Sequence, residues 1–566
     1  MIPGRRDVLR AVGAAALLGV GAACARIPTE SPVGSRALNG QSRPGAPYVR
    51  ALPPPVDATP EQVVAGFVQA GVGSEDDFAV ARAYLTDRAS AVWEPAAGIT
   101  VYSGSQELQV QEAGPERRRL VLQVVALVDA SGVRSLLAGP SPREIEVSIE
   151  QVEGQWRLSQ APDGIFLSEA AFETLYAPAR LYFLDARRRH LVPDHRWVPL
   201  RRGADTVLEC LVAGPAAHLE GAVLSEIPDA VGAVDTLLAT GPDGHAQVEV
   251  PRAITALPAE RRSAALSQLE SSLRSLPALS GVALVLDGQP IALDERTRIE
   301  RALPGHRPIA AGPTGVISLA DPGTGTPAQL VPALAGTALA SPVIAQDGVL
   351  AAAQNPARST VLIASTDDSV PPREAATGGA FVAPRIDDSG FVWTSTRSSA
   401  GVLLALSGLG ADRDAKVDAP WLRGREIRAL DLAADATRML VLSADAGGAR
   451  LDLCAVIRDP DGVPVSLTEP VPVRTFLSDA TQAGWYDEIA TVVLGTDPTS
   501  GDPRAQIVDV ASGREPLPPL VDGTDRIAGS VVAGTVWAGT ADGELLRTDG
   551  DSWTLSDLEG RDPFFY

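Results

Sequence analysis

The chain contains very little lysine, cysteine and methionine. Lys416 is the only lysine among 566 residues, and there are 3 cysteines and 2 methionines. Two of the cysteines, Cys210 and Cys454, fall in different predicted domains, so we expect two small buried thiols rather than a disulfide between them. So few cysteines exclude a disulfide framework as the basis of the fold.

The chain also has fewer basic than acidic residues. The chain has 48 basic and 70 acidic residues, which gives a formal net charge of −22. A surface of this sign repels nucleic acids and anionic lipid headgroups, so we expect no nucleic-acid partner and no electrostatic attraction to lipid. Hydrophobic residues make up 45% of the 566 residues, which is enough to bury the cores of about three or four domains.

Motifs for catalysis, metals and cofactors are missing. The sequence has no G-x-S-x-G elbow, no Walker A loop and no H-E-x-x-H pair. The scattered histidines are His190, His195, His218, His245 and His306. The first two would point to opposite faces of an extended strand, which makes a poor zinc pair. We expect no metal, no cofactor and no enzymatic activity, although spacing alone leaves open a Ser/His/Asp triad built from distant loops.

What the sequence does contain begins with a leader. The Arg5–Arg6 pair precedes an apolar run from Ala11 to Ala23 and then Cys24, which is typical of a lipoprotein export signal. The 13-residue run spans roughly 20 Å as a helix, too short for a hydrocarbon core of about 30 Å. We predict a signal peptide over residues 1–23, cleavage after Ala23, and a diacylglyceryl anchor on Cys24. The anchor would tether the protein to the extracytoplasmic face of the cell membrane.

The leader departs from the usual pattern at Gly21, because a lipobox carries an aliphatic residue three positions before the cysteine. A plain cleaved signal with an incidental cysteine therefore stays an alternative, and the arginine pair leaves the export route, Sec or Tat, open. Residues 24–58 are rich in proline and have little apolar periodicity. We predict that they form a tether, which reaches roughly 90 Å at about 3.1 Å per residue.

The first folded unit is predicted over residues 59–165. A capping box at Thr59–Gln62 begins a helix, and a second helix is predicted over 77–85. Strands are predicted over 100–102, 107–111, 120–128, 145–150 and 155–158. Helices followed by a curved antiparallel sheet resemble the NTF2-like cone. We interpret Trp93 and Trp156 as core or rim residues rather than as ligand stackers.

The second unit is predicted over residues 180–292. An alternating strand at Leu181–Leu184 leads into a basic turn over Arg187–His190 and a returning strand. A helix is predicted with Asp205 as its N-cap and a stop at Gly214-Pro215. A strand over 246–250, a helix over 259–273 and a strand over 282–286 follow.

Two segments of this unit resemble a known family. The first helix closes with Leu-Val-Ala-Gly-Pro over 211–215, and the last strand reads Val-Ala-Leu-Val-Leu-Asp-Gly-Gln-Pro over 282–290. With the order of strands and helices, they resemble a GerMN domain. With the leader and the Ile27–Pro32 segment, the whole chain resembles LpqB-type lipoproteins of actinobacteria.

The last unit, predicted over residues 306–566, carries a repeat of an acidic turn followed by an apolar strand. The marker residues Asp347, Asp387, Asp435 and Asp487 are 40, 48 and 52 residues apart, a period that fits four-stranded propeller blades. We interpret these aspartates as turn formers, because they lack the D-x-D-x-D-G spacing of a calcium loop. The prediction is a multidomain chain: an α+β NTF2-like domain, an α+β GerMN-like domain and an all-β propeller of about six blades.

One basic cluster stands out in the acidic chain: Arg187–Arg189 together with Arg201–Arg202. It is either a solvated hairpin edge protected by charge or a dock for an acidic partner surface or an anionic wall polymer.

Two functions from different classes remain. The resemblance implies a non-enzymatic accessory lipoprotein. Its partner would be the extracellular domain of an MtrB-like sensor histidine kinase, and binding would modulate MtrA/MtrB signalling in cell envelope homeostasis and division. The alternative is a wall-glycan binder or hydrolase that uses the propeller channel. Acidic residues with raised pKa values at one channel mouth would favour the hydrolase, and an exposed apolar patch would favour a protein partner.

Overall fold

The computed structural model describes residues 50–104, 108–228, 239–240, 245–277, 279–291, 293–320, 328–367, 369–398, 400–409, 413–510, 513–548 and 551–566. Ala23 and Cys24, and with them the predicted signal, lipid attachment and most of the tether, lie outside these residues. No helix among the described residues is long and apolar enough to cross a membrane.

The N-terminal domain begins at the predicted capping box. The Thr59 hydroxyl accepts from the Gln62 amide at 3.3 Å, and the Gln62 side chain accepts from the Thr59 amide at 2.9 Å. The helices are α1 (Pro60–Ala70), α2 (Ala79–Arg82) and α3 (Asp87–Val92). The strands are β1 (Gly98–Tyr102), β2 (Gln109–Gly114), β3 (Arg117–Asp129), β4 (Arg134–Val152), β5 (Gln155–Gln160) and β6 (Ile165–Ser168). The sheet order is β5-β4-β3-β1-β6, with β2 beside β3.

The second predicted helix of this domain is shorter than expected. Asp76, Asp77 and Phe78 all have a positive φ, 48°, 54° and 57°, so a helix cannot start at residue 77. The interpretation of Trp93 as a core residue is confirmed: it is 5% exposed, and its ring meets that of Phe67 edge-on at 5.3 Å. Trp156 packs partly buried against the same core.

A helix that the sequence pattern did not predict joins the first two domains. It is α4 (Glu169–Leu175), and the Ser168 hydroxyl caps it by accepting from the Ala171 amide at 3.2 Å. Phe172 on α4 is fully buried against Trp197, with ring centroids 4.8 Å apart. The Arg134 guanidinium lies over both rings, at 5.1 Å and 4.9 Å, so the two domains share one core.

The middle domain has two small sheets and two longer helices. Its strands are β7 (Tyr176–Asp185), β8 (His190–Pro199), β9 (Val223–Leu224), β10 (Ala239–Thr240), β11 (His245–Glu249), β12 (Gly281–Leu286), β13 (Gln289–Pro290) and β14 (Glu300–Arg301). Its helices are α5 (Gly203–Ala213), α6 (Arg252–Thr255) and α7 (Ala259–Arg274). One sheet has the order β14-β8-β7-β9 and the other β10-β11-β12-β13.

Helix α5 corrects one residue of the sequence prediction. Asp205 is not the N-cap, because the helix begins at Gly203 and Arg202 occupies the cap position without a side-chain hydrogen bond. Asp205 instead lies in the first turn, where a carboxylate favours the positive end of the helix dipole. The predicted stop is confirmed: Gly214 ends the helix with a φ of 99°, which favours glycine.

The propeller of the described chain has six blades, in agreement with the predicted number of about six, and two of the blades are joined in one nine-stranded sheet. Blade one is β38 (Arg561–Phe565), β15 (Pro308–Gly312) and β16 (Gly315–Ser318). Blade two is β17 (Ala340–Ile344), β18 (Leu350–Gln354), β19 (Thr360–Ser365) and β20 (Arg373–Thr377). Blade three is β21 (Arg385–Ile386), β22 (Phe391–Thr394), β23 (Val402–Ser407) and β24 (Ala415–Asp418).

Blades four to six follow the same order. Blade four is β25 (Glu426–Leu432), β26 (Arg438–Asp445), β27 (Gly448–Arg458) and β29 (Val471–Val473), and β28 (Pro464–Leu467) links β27 to β24. Blade five is β30 (Ser478–Trp485), β31 (Ala490–Thr496), β32 (Pro503–Asp509) and β33 (Arg514–Pro516). Blade six is β34 (Thr524–Ser530), β35 (Thr535–Thr540), β36 (Glu544–Thr548) and β37 (Trp553–Glu559). Short 3₁₀ turns lie at Pro95–Ala97, Ala217–Leu219, Pro332–Leu334 and Pro420–Leu422.

The repeated aspartates form the turns between the first and second strands of four blades, as predicted. The Asp387 carboxylate accepts from the Ser389 and Phe391 amides, both at 2.9 Å. Asp347, Asp435 and Asp487 accept equivalent turn amides. These turns, which we call the hairpin face, all lie at the same mouth of the channel, because each follows the innermost strand of its blade.

The ring closes where the last strand pairs with the first. Strand β38 is antiparallel to β15 and contacts the innermost strands β17 and β34 on either side. This pairing removes the sheet edges that an open propeller would expose. Phe565 is 8% exposed and packs with Ala310, Ile317 and Trp537.

We therefore expect Phe565→Ala to lower the free energy of unfolding by about 3 kcal/mol, because it leaves a cavity at the closing strand. Urea denaturation followed by tryptophan fluorescence measures the change. The matched control is Leu555→Ala on β37, where the side chain is 59% exposed and the expected change is within about 0.5 kcal/mol. Equal effects of the two substitutions would contradict the role of β38 in closure.

Candidate functional site at the propeller channel

The middle domain covers part of the hairpin face of the channel, where it contacts blades three and five. A cavity of about 310 Å³ lies there, lined by the second halves of the innermost strands and by Arg189 and His190 of the basic turn. We call this the covered mouth. Asp347, Asp387, Asp388 and Asp431 line it, so acidic residues do converge at one channel mouth.

The carboxylates of the covered mouth are held by groups of the fold. One oxygen of Asp387 accepts from the Trp393 indole at 2.9 Å and from Arg458 at 2.6 Å, and the other forms the turn. The two oxygens of Asp431 accept from Arg385 at 2.6 Å and from the Trp485 amide at 2.7 Å. Burial raises the pKa of Asp431, and the Arg385 charge opposes that shift.

The basic turn is docked onto the propeller. The Asp185 carboxylate shapes it by accepting from the amides of Arg187 at 2.9 Å, Arg189 at 2.6 Å and His190 at 2.7 Å. The Arg189 guanidinium pairs with Asp388 of blade three, and the His190 ring lies 3.6 Å from the same carboxylate. The acidic surface that this turn meets therefore includes the chain's own propeller.

Three further arginines of the cluster also pair within the chain. Arg188 meets Glu226 at 2.6 Å, Arg201 meets Glu75 of the N-terminal domain at 2.8 Å, and Arg202 meets Glu209 at 2.7 Å. The two halves of the cluster therefore make different contacts within the chain. Neither interpretation from the sequence, a solvated hairpin edge or a dock for a partner, included these intramolecular contacts. Glu226 and Glu75 lie 38 and 126 residues from their arginines, so no local signal could reveal these two pairs.

A buried carboxylate joins the middle domain to the propeller. Glu488 is 7% exposed and follows the marker Asp487 in the turn of blade five. One of its carboxylate oxygens accepts from Arg180 at 2.5 Å, from the Tyr182 hydroxyl at 3.0 Å and from Arg301 at 3.1 Å. Arg438 donates to the Glu488 carbonyl at 2.7 Å. Burial raises the pKa of Tyr182, and the Glu488 charge adds to that shift.

His195 lies beside this network without a hydrogen-bond partner. Both ring nitrogens are buried and unpaired, and the residue as a whole is partly buried. Burial, followed by the charges of Arg180, Arg438 and His218, lowers the pKa of His195 to about 3. The ring is therefore neutral in the folded protein at neutral pH.

Histidine and cysteine are the residue types best suited to bind zinc. His190 lies at the covered mouth and His195 at the domain interface, and they do not form a ligand pair. Over the described residues, no three His, Cys, Asp or Glu side chains are grouped to hold a metal. Cys210 is partly buried and Cys454 fully buried, both as free thiols, and burial raises the pKa of each.

Comparison with known families gives three matches along the chain. A model of the N-terminal domain of lipoprotein LpqB matches residues 53–173, and a model of the LpqB β-propeller domain matches residues 319–565. A model described as sporulation and spore germination matches residues 180–292.

Individual relatives are similar over most of the chain. Lipoprotein LpqB of Cutibacterium acnes is 27% identical over 533 residues, covering 87% of this chain and 86% of the relative. Lipoprotein LpqB of Rhodococcus opacus is 27% identical over 560 residues, covering 92% of this chain and 90% of the relative. Among solved structures, the β-propeller domain of Myceliophteria thermophila Cps50 (Swd1) is 12% identical with a TM-score of 0.29, covering 43% of this chain and 79% of that chain.

We expect Glu488→Ala to lower the free energy of unfolding by about 3 kcal/mol, because it leaves the donors around it without their acceptor. Thermal and urea denaturation measure the loss, and limited proteolysis reports whether the two domains separate. Glu544→Ala, at an exposed position in blade six, is the matched control with an expected change within about 0.5 kcal/mol. Wild-type stability in the Glu488 variant would rule out this joining role.

Stability is expected to fall in mild acid because of His195. The unfolded chain binds a proton near pH 6.5 and the folded ring only near pH 3, so the unfolded state holds more protons between those values. The contribution of the neutral His195 ring to the free energy of unfolding is fully present above about pH 6.5. It decreases by about 2 kcal/mol on going to pH 5.

His195→Leu removes the titrating group and should flatten this pH dependence, measured as the urea midpoint from pH 7 to pH 5. His306→Leu, at an exposed position, should leave it unchanged. An unaltered slope in the His195 variant would show that another group carries the pH dependence.

Proposed function

Because the chain belongs to the LpqB lipoprotein family, we propose that it is a membrane-anchored accessory protein that binds a protein partner outside the membrane. The partner is the extracellular domain of an MtrB-like sensor histidine kinase. Binding regulates MtrA/MtrB-type signalling in cell envelope homeostasis and division. Cys24 carries the lipid that holds the protein at the extracytoplasmic face.

The binding role is supported by the hydrogen bonds and ion pairs that engage the carboxylates of the covered mouth. A glycan hydrolase needs one carboxyl group that can give a proton and another that can attack or activate water. Asp387 and Asp431 are engaged at both oxygens by structural donors, and Asp388 is paired with Arg189. Each would have to release a partner that holds the fold before it could act, which supports binding rather than hydrolysis.

The hairpin face offers apolar side chains to a protein partner. Val531 and Val532, in the turn between β34 and β35, are 44% and 46% exposed, and Val349 in the equivalent turn of blade two is 60% exposed. Adjacent exposed aliphatic residues are suited to an interface core, where water is displaced on binding.

Regulation requires that the protein bind two kinase conformations unequally. A ligand with equal affinity for both states shifts nothing, whereas a tenfold preference shifts the equilibrium by about 1.4 kcal/mol. The buried contacts between domains suit this role, because a preorganised surface loses little entropy on binding.

The test is binding of the chain from residue 24, carrying Cys24→Ser, to a purified MtrB-like extracellular domain by biolayer interferometry. The Val531→Asp, Val532→Asp double variant is expected to bind at least about tenfold more weakly, because it places charges in an apolar contact. Val521→Asp is the matched control, since Val521 is 41% exposed but lies in the loop before β34, at the opposite mouth.

Three outcomes are informative. Loss of affinity in the double variant alone supports the proposal and assigns the surface. Equal binding by all three proteins would retain the partner but remove the hairpin face as its site. Retention of wall glycan without any binding to the kinase domain would overturn the adaptor function and direct attention to the channel.

A further inference from the structure

The channel mouth opposite the covered mouth is lined by five arginines: Arg358, Arg385, Arg397, Arg428 and Arg526. Its lining includes residues of the innermost strands, the segment before β21 and the loops between second and third strands of blades two and three. We call this the arginine mouth. Among its lining residues, Asp562 is the one carboxylate, in a protein whose net charge is −22.

Irregular backbone positions the groups of the arginine mouth. The pairing of β25 with β26 shifts register between Ile427 and Ala429, which passes over Arg428. Strand β38 skips Asp562 in the same way, and Asp562 has a φ of 53°. Bulges and left-handed residues re-aim side chains at the cost of regular pairing, and they are concentrated at functional sites. This backbone strain favours an arrangement that is maintained for a function over one that results from strand packing alone.

The arginines outnumber the negative charge available inside the mouth. Asp562 is 6% exposed, and one of its oxygens is already shared by Arg526 at 2.6 Å and Arg358 at 3.2 Å. Its other oxygen accepts from the Ser341 amide at 2.9 Å. Burial lowers the pKa of Arg358, and the nearby charges of Arg526 and Arg397 lower it further while Asp562 opposes them.

The acids that pair with the other arginines lie at the rim of the mouth or behind the arginines. Arg397 meets Glu426 at 3.4 Å and Arg428 meets Asp479 at 2.5 Å, but these carboxylates are 47% and 65% exposed. Asp525, 3.3 Å from Arg526, is 46% exposed. Water and salt screen such pairs, so they neutralise the mouth weakly. Asp431 is buried, but it faces the covered mouth and is held by Arg385.

We propose that the arginine mouth binds a phosphate group. Guanidinium groups present planar forks of donors that match the oxygens of phosphate, and several of them converge here on one point. The cavity of about 60 Å³ is small, which suits a compact tetrahedral anion. Phosphate offers more acceptor oxygens and more charge than a carboxylate, so it satisfies more of the arginines.

The same chemistry is supplied by inorganic phosphate and by the phosphodiester of an anionic polymer. The two sources differ in the access to the arginine mouth that they require. A phosphodiester enters with polymer chain on both sides of its phosphate, whereas free phosphate carries no chain. Binding at this mouth does not depend on the proposed kinase partner, which we place at the opposite face.

The test is isothermal titration of the chain from residue 24, carrying Cys24→Ser, with sodium phosphate and with a glycerol phosphodiester at constant ionic strength. One phosphate site per chain is expected. The Arg397→Gln, Arg428→Gln double variant should bind at least about tenfold more weakly, because two charged donors are lost. Both arginines pair with exposed acids, so near-UV circular dichroism should remain that of the wild type.

Two further variants make the outcome decisive. Glu426→Gln removes a rim competitor for Arg397 and should bind phosphate more tightly, which no general loss of structure would produce. Arg547→Gln, at an exposed position on β36, removes one positive charge elsewhere and should change nothing. Binding of both ligands indicates a polymer site, and binding of phosphate alone indicates a site for the free anion. No phosphate binding by the wild type, or equal binding by the double variant, would overturn the proposal.

Discussion

Buried carboxylates that are each bridged by two arginines connect distant parts of this chain. Glu488 is shared by Arg180 and Arg301, Glu226 by Arg188 and Arg261, Glu270 by Arg274 and Arg298, and Asp562 by Arg358 and Arg526. Removing a carboxylate from water is costly, and only close, well-oriented donors offset that cost. Each bridge therefore holds only when its segments are correctly placed. The Glu488 bridge joins the middle domain to the propeller and so selects one arrangement of these two domains, whereas the other three hold segments within one domain.

The Glu488 bridge shows how the domain arrangement depends on this constraint. Its turn is fixed by Asp487, its donors come from β7 and β14 of the middle domain, and Arg438 of blade four fixes its backbone carbonyl. The middle domain is thereby seated over the hairpin face, and its basic turn reaches the covered mouth. The carboxylates there then serve the fold, while the opposite mouth keeps a surplus of arginine. All the innermost strands run in the same direction along the channel, so their hairpin turns lie at one end and the arginines at the other. The two ends of the channel therefore differ in electrostatic character.

Local features of this structure follow from the sequence because their physics is local. The capping box at Thr59–Gln62 and the aspartate turns of the blades involve groups within four residues of each other. The repeat of those turns was sufficient to predict a propeller with about six blades. Helix α2 was predicted too long, because helical periodicity in Phe78, Ala81 and Leu85 does not reveal the left-handed residues before it. Helix α4 was missed because a seven-residue segment has too little periodicity to stand out, and Phe172 is buried by another domain.

The functional surfaces could not be predicted in the same way, because their members are brought together only by closure of the ring. Glu488 and Arg180 are 308 residues apart, and the arginine mouth draws its five arginines from four blades. The near-absence of lysine nevertheless has a structural consequence that could not be inferred from the composition alone. A guanidinium can donate from several nitrogens in one plane: Arg438 meets the Asp435 carboxylate with one edge and the Glu488 carbonyl with another nitrogen. An ammonium is a point charge without this fixed geometry. Replacing arginine by lysine at these bridges would keep the charge but lose the geometry, so the fold depends on the shape of the cation as well as on its sign.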